Sequence, residues 1–442
     1  LAESAQIATH AGSPGDARPH VVIVGGGFAG LYAARALGEA PVRVTVVDRR
    51  NHHLFQPLLY QVATAALAAP DVAAPIRQVL RRQDNTTVLL AEARRVDAEG
   101  RRLELDSGEL HYDYLLVATG SANNYFGHDE WQEHAPGLKS VEDAFTVRRR
   151  ILLAFERAER ETDPERRRAL LTFAIVGGGA TGVELAGALR EIAQRTLARD
   201  FRHFDPRETR VVLVDAGPRL LEGFPEELSQ RAREQLEDRG VEVYTDALVT
   251  AVDAGGVTAG ERRLAAATVL WAAGVKASPL GASLPAKRER SGRVIVEPDL
   301  SLPGHPEIFV AGDLAHVERA DGSPVPGMAP AAIQEGRHAV ACIRRDLGGR
   351  PREPFRYRDR GMLATVGRKA GVAEVGDRHF SGLPAWVLWL AVHIAWLIGF
   401  RNRLVVLFEW AWAYFTYQRS ARVIVEIPGT PGAGPAPTEE PR

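Results

Sequence analysis

The chain has 442 residues, with 55 Lys and Arg against 56 Asp and Glu, for a formal net charge of −1. That balance points to no nucleic-acid or strongly acidic partner. Apolar (45%) and charged (25%) shares are those of globular proteins, which excludes global disorder, collagen and polytopic membrane classes. The length accommodates roughly two to four domains. A single cysteine, Cys342, rules out an internal disulfide framework, a redox-active cysteine pair and a cysteine-based zinc site. The 13 histidines show no ligand spacing, so no metal is expected.

Residues 1–19 are small and polar, without the apolar core of a signal peptide, and read as a disordered lead-in. Val21 to Val24 then form a buried parallel strand, followed by Gly25, Gly27 and Gly30 at G-x-G-x-x-G spacing and a helix of small residues. The first glycine permits the tight turn, the second lets backbone approach a pyrophosphate, and the third lets helix and strand pack closely. The helix N-terminus then faces the phosphate charge. A second strand, 42–47, ends in Asp48, where a carboxylate meets ribose hydroxyls.

The pattern recurs at 173–189 with Gly177, Gly179 and Gly182, and the strand 209–214 ends in Asp215. A carboxylate there accepts from the ribose 2′-hydroxyl and repels a 2′-phosphate, which argues for NADH over NADPH. Arg219, four residues on, opposes that reading by its charge. Residues 190–208, between the two parts, read as an extended helix and a loop. The stretches 114–121, with Thr119 and Gly120, and 268–275, with Gly274, are a second duplicated pair of strand and tight turn. Two dinucleotide folds imply two dinucleotides, the architecture for hydride transfer between a nicotinamide and a flavin.

A third strand, Ile308 to Val310, runs into Ala311-Gly312-Asp313. This resembles the second flavin fingerprint of the two-dinucleotide-binding flavoproteins, a likeness that assigns Asp313 to the ribityl chain of FAD; the other reading of Asp313 is a helix cap.

Residues 380–417 hold five of the seven tryptophans. Trp386, Trp389, His393, Trp396 and Phe400 fall on one helical face by spacing, and Trp favours the headgroup zone of a bilayer. Leu383 to Phe400 is uncharged but interrupted by Pro384 and His393, and Leu404 to Tyr417 contains Glu409. Arg378, Arg401, Arg403, Arg419 and Arg422 give the region a positive excess that suits anionic lipid. Three readings stand: two interfacial helices anchoring the chain to one leaflet, a homodimer interface, or a single span.

The stretches 51–77 (NHHLFQPLLYQVATAALAAPDVAAPIR), GGGATGVELAG and 329–339 (APAAIQEGRHA) together resemble type II NADH dehydrogenases, single-chain NADH:quinone oxidoreductases that carry FAD and do not pump protons. The likeness spans residues 20–425. It implies FAD held by Gly25, Gly27, Gly30, Asp48, Thr119, Gly120 and Asp313, and NADH held by Gly177, Gly179, Gly182, Asp215 and Gly274. It places Glu184 near the flavin and nicotinamide, as a positioning group and a link in proton supply; a purely structural carboxylate in the first helical turn is the alternative. It places Gln334 against the quinone, while Pro330 stands where the family carries a first glutamine.

The expected fold class is therefore α/β, with two Rossmann-like dinucleotide-binding domains and a C-terminal amphipathic helical anchor. The expected bounds are a lead-in (1–19), a flavin domain in two parts (20–140 and 288–379), an inserted NADH domain (141–287), anchoring helices (380–427) and a disordered tail (428–442). The expected partners are a membrane quinone (ubiquinone or menaquinone), a bilayer surface and a second copy of the chain, on the cytoplasmic face of the inner membrane. The competing readings are a soluble NAD(P)H-dependent flavin reductase serving ferredoxin, another small redox protein or oxygen, and a non-catalytic NADH-responsive binding protein. A sulfide:quinone oxidoreductase needs paired cysteines, which Cys342 alone does not supply.

Overall fold

The computed structural model describes residues 17–416 and 421–424. The expected disordered lead-in up to residue 16, the tail at 428–442, Tyr417 and Arg419 lie outside the described residues.

The run Val21–Val24 is almost completely buried, as a strand covered on both faces must be. It sits at the centre of a six-stranded sheet ordered Ser301–Leu302, His305–Val310, Tyr114–Val117, His20–Val24, Arg43–Asp48, Thr86–Leu90. All pairings are parallel except that of Ser301–Leu302. A second, four-stranded parallel sheet is ordered Val241–Tyr244, Arg210–Val214, Thr172–Val176, Thr268–Trp271. In each sheet the glycine-loop strand has its successor on one side and a later strand on the other. That reversal opens a crevice at the carboxyl ends of the strands, where ligands of such sheets bind. The six-stranded sheet draws strands from both sides of the four-stranded one in sequence, and the antiparallel ribbon Ser121–Asn123 with Val275–Ala277 ties the two units together.

The helix after the second glycine loop, Ala180–Glu191, ends sooner than the sequence suggests and continues only as a π turn through Thr196. It lies tight against a third, three-stranded sheet of Met362–Gly367, Ala370–Val375 and Arg378–Ser381. A Cβ on Gly187 would stand 1.8 Å from the Val366 carbonyl, so only glycine permits this approach.

The C-terminal region departs from expectation in three ways. The expected two helices are present but divide earlier: the first, Leu383–Trp396, stops short of Phe400, and the second, Phe400–Thr416, begins there after a break at Leu397–Gly399, where Gly399 adopts φ +93°. No helix among the described residues is long and apolar enough to cross a membrane, and Phe400 starts the second helix instead of extending the first stripe. Second, Trp389 and Trp410 turn toward the protein, while Trp412 stays exposed. Trp389 is 2% exposed and packs on Tyr60, His393 and Trp410. Trp410 donates its indole N–H to Gln61 Oε1 at 2.7 Å. Periodicity marks a buried stripe but not whether lipid or protein buries it. Third, two of the arginines are engaged by protein: Arg403 donates to the carbonyls of Leu397 and Ala395, closing the first helix, and Arg422 pairs with Asp200. The solvent side carries Leu383 and Val387 on the first helix, and Phe400, Leu404, Leu407, Phe408, Trp412 and Phe415 on the second. Residues 404, 407, 408, 412 and 415 form one stripe at three- and four-residue steps.

Candidate active site

The two glycine loops are built alike. Gly25 and Gly177 take φ of +104° and +112°, conformations that side chains disfavour. A Cβ on Gly30 or Gly182 would collide with the carbonyl of Gly25 or Gly177. A Cβ on Gly27 or Gly179 would meet nothing within 4 Å, so both loops leave an open cradle where the sequence places a pyrophosphate. Asp48 accepts from the N–H groups of Gly26 (2.5 Å) and Arg50 (2.7 Å). Asp215 accepts from Gly178 (2.5 Å) and Gly217 (2.7 Å). Each carboxylate is thus fixed by its own loop at the strand end. Arg219 does not reach toward a 2′-phosphate: its guanidinium donates to Phe224 O, Glu222 O and Ser229 Oγ.

Thr119 and Gly120 follow the strand beside the first loop, and Gly274 occupies the matching turn beside the second. A Cβ on Gly274 would press on Phe126. The buried Thr119 hydroxyl has no hydrogen-bond partner among the described residues, and a Cβ on Gly120 would meet open space. Asp313 caps nothing with its side chain. It accepts instead from Ser121 Oγ at 2.6 Å, and Ser121 in turn accepts from Lys139 Nζ at 3.2 Å. Burial pulls the Lys139 ammonium below its ordinary pKa, and Asp313 opposes that shift. Buried Glu335 accepts from the Gly312 N–H at 2.6 Å, and burial lifts its carboxyl to about 7. Open cradles, an unpartnered hydroxyl and a side-chain chain of donors fit a dinucleotide along the first sheet. Lys139 and Glu335 were missed in the sequence: Lys139 lies in no recognised motif, Glu335 sits in the 329–339 run with no role assigned to it, and only the fold brings them to Asp313 and Gly312.

Glu184 stands where the second glycine-loop helix meets the three-stranded sheet and the first C-terminal helix. It is 8% exposed and accepts weakly from the Thr365 N–H at 3.4 Å. The Trp389 indole N–H faces it outside ordinary hydrogen-bond geometry. Burial lifts the Glu184 carboxyl to about 8, so it is a neutral acid at pH 7. His393 stacks on the same Trp389 ring at 4.1 Å, and burial lowers its pKa to about 4. From His393 a line of edge-on rings runs through Phe55 and Phe28 to the start of the first glycine-loop helix. A line of rings thus connects the buried carboxylic acid to the first cradle.

Gln334 differs from its expected use. Its amide donates to Pro330 O (3.1 Å) and Arg358 O (3.0 Å), and its oxygen accepts from Arg358 N (2.9 Å). Both amide hydrogens hold backbone, which leaves no free donor for a quinone carbonyl.

Residues 19–336 match the pyridine nucleotide-disulphide oxidoreductase family. The chain is 44% identical over 425 residues to the type II NADH:quinone oxidoreductases Ndh and NdhA of Mycobacterium tuberculosis, covering 92% of this chain and 91% and 89% of theirs. It is 30% identical over 379 residues to the type II NADH:quinone oxidoreductase of Staphylococcus haemolyticus, covering 83% of this chain and 92% of that one. Among solved structures, NDH2 of Plasmodium falciparum in complex with NADH aligns with a TM-score of 0.85 at 18% identity, over 92% of this chain and 100% of that one. The sulfide:quinone oxidoreductase of Aquifex aeolicus aligns with a TM-score of 0.71 at 17% identity, over 95% and 99%. These two structures speak to the fold alone. Sequence relatives this similar along nearly the full length of both partners place the chain in one family: it belongs to the type II NADH:quinone oxidoreductases.

Proposed function

We propose that this chain works at a membrane surface, taking electrons from NADH and delivering them to ubiquinone or menaquinone drawn from the bilayer, without pumping protons. The reaction itself follows from the family: the chain is an FAD-dependent NADH:quinone oxidoreductase. Bound FAD supplies the two-electron carrier between nicotinamide and quinone.

The chain's residues supply binding, orientation and a proton. In this reading the unit at 20–140 and 288–379 holds FAD through Gly25, Gly27, Gly30, Asp48, Thr119, Gly120 and Asp313. The unit at 141–287 holds NADH through Gly177, Gly179, Gly182, Asp215 and Gly274. Asp215 selects NADH because it faces the ribose as a fixed carboxylate, with Arg219 engaged elsewhere. Glu184 holds a proton on its carboxyl at neutral pH, beside Trp389 and His393, which in this reading face the quinone headgroup. Gln334 contributes by fixing the Arg358 backbone, not by donating to the headgroup.

The observation that carries the membrane reading is the two-sided C-terminal helix pair. One side packs Trp389 and Trp410 against the body of the protein near Glu184; the other presents the apolar stripe around Leu404, Phe408 and Trp412. Such a stripe beside a lipid-soluble substrate's site supports monotopic attachment to one leaflet. Exposed Arg378 and Arg401 favour anionic headgroups. The same surface supports a homodimer, and a cytoplasmic NADH supply supports the cytoplasmic face of the inner membrane. The test is co-flotation with anionic vesicles. Leu404→Glu with Phe408→Glu should abolish flotation and turnover with a vesicle-embedded quinone, while a water-soluble short-chain quinone is still reduced. Unchanged flotation rejects the stripe as the anchor.

A further inference from the structure

The middle residue of each glycine loop is held at both its N–H and its carbonyl, and so through the two peptides that flank it. In the first loop the Gly26 N–H is held by Asp48, and the Gly26 carbonyl by His53 Nδ1 at 3.0 Å. In the second, the Gly178 N–H is held by Asp215, and the Gly178 carbonyl by the Leu221 N–H at 2.8 Å. The same device thus appears twice. One copy closes it with backbone, from Leu221 in a left-handed conformation (φ +51°), and the other closes it with a side chain.

His53 is buried against the first loop, bonded to the Gly26 carbonyl with the Gly27 carbonyl nearby outside ordinary hydrogen-bond geometry. It is 1% exposed, and its backbone is fixed by the short strand pair His52–Leu54 with Ala73–Pro75. The Phe28 ring packs edge-on against it at 5.0 Å. A carbonyl only accepts, so the geometry assigns the proton to Nδ1 and leaves Nε2 with a lone pair. Nε2 has no hydrogen-bond partner among the described residues. Burial holds the ring neutral, with its pKa lowered to about 4.

The peptide joining Gly26 to Gly27 is trans and planar, so its C=O and N–H point in opposite directions. Fixing the carbonyl toward His53 therefore turns the Gly27 N–H the other way, toward the open cradle. We propose that His53 is a positioning residue for the flavin diphosphate: by holding the Gly26 carbonyl it fixes the peptide that aims the Gly27 N–H into the first cradle. This rests on the reading that the first loop holds FAD.

The test uses the FAD-loaded enzyme and reads flavin fluorescence on release, alongside the NADH dissociation constant of FAD-replete protein. His53→Phe keeps an aromatic ring but has no donor; it should weaken FAD retention about tenfold, equivalent to roughly 1.4 kcal/mol. His53→Asn places an amide nitrogen where Nδ1 stood and should restore retention to within about threefold of the native enzyme. His53→Gln, whose amide nitrogen lies one carbon further, should resemble His53→Phe. NADH affinity should stay unchanged in all three, because the second loop is closed by Leu221. Native FAD retention in His53→Phe overturns the proposal, and so does Asn performing no better than Gln. If His53→Phe does not fold, the Asn and Gln comparison decides alone. Gly27→Val separates the two levels: unchanged FAD retention there means the first loop is not the flavin site at all.

Discussion

Replacing Glu184 with glutamine keeps the side chain's shape and removes its proton exchange, so the difference between the two proteins isolates one buried carboxyl. Burial moves that carboxyl from 4.5 to about 8. Below pH 4.5 it is protonated in both the folded and unfolded chain and adds no pH dependence. Between pH 4.5 and 8 the unfolded chain releases the proton while the folded chain keeps it, so stability falls as pH rises. Above pH 8 both are ionised and the loss is complete. The full change corresponds to roughly 5 kcal/mol at about 1.4 kcal/mol per tenfold. Buried His53 and His393, both lowered to about 4, act in the opposite direction. Their stabilisation is full above pH 6.5 and is lost as pH falls toward 4, but it cancels in the comparison. Infrared difference spectra of the FAD-bound enzyme against Glu184→Gln should show a protonated carboxyl band at pH 6 that disappears with a midpoint near 8. The thermal midpoint of Glu184→Gln should gain steadily on the native enzyme from pH 5 to 8. A carboxyl band already absent at pH 6, or a flat difference in thermal midpoint, refutes a neutral, buried Glu184.

Further outcomes follow from the same contacts. Asp215→Ala should lower the NADH-to-NADPH preference in kcat/KM by about tenfold or more, and weaken NADH itself because the Gly178 and Gly217 N–H groups lose their acceptor; an unchanged ratio removes Asp215 from the ribose. Gln334→Ala unties the Pro330 and Arg358 backbone and should cost roughly 1–2 kcal/mol in stability. A raised quinone KM with an unchanged thermal midpoint would instead return Gln334 to the headgroup.

The fold was legible because its signals are local. A β-branched run, three spaced glycines, small helix residues and a terminal acid all lie within about thirty residues, twice over. The same spacing singles out Asp48 and Asp215, which stand at their strand ends bonded to their glycine loops, and Asp313 is singled out by its position after a strand. What escaped is non-local. Glu184 becomes a neutral acid only because Thr365 and Trp389 fold over it from the far end of the chain. His53 reads as one of two adjacent histidines until strand pairing turns its ring onto Gly26. Gln334 offers a free amide in sequence and a fully engaged one once the 351–361 segment lies along its helix. Of the aromatic stripe, Trp389 is buried by protein and Phe400 is exposed on the next helix, and apolar spacing is identical for a face buried by protein and one buried by lipid.

The central claim is electron delivery from NADH to quinone, and anaerobic stopped-flow at the flavin absorbance band addresses it most directly. NADH should bleach the band, and a short-chain quinone mixed in afterwards should restore it on the timescale of turnover. Bleaching without recovery on quinone, but with recovery on ferredoxin or oxygen, would contradict the account.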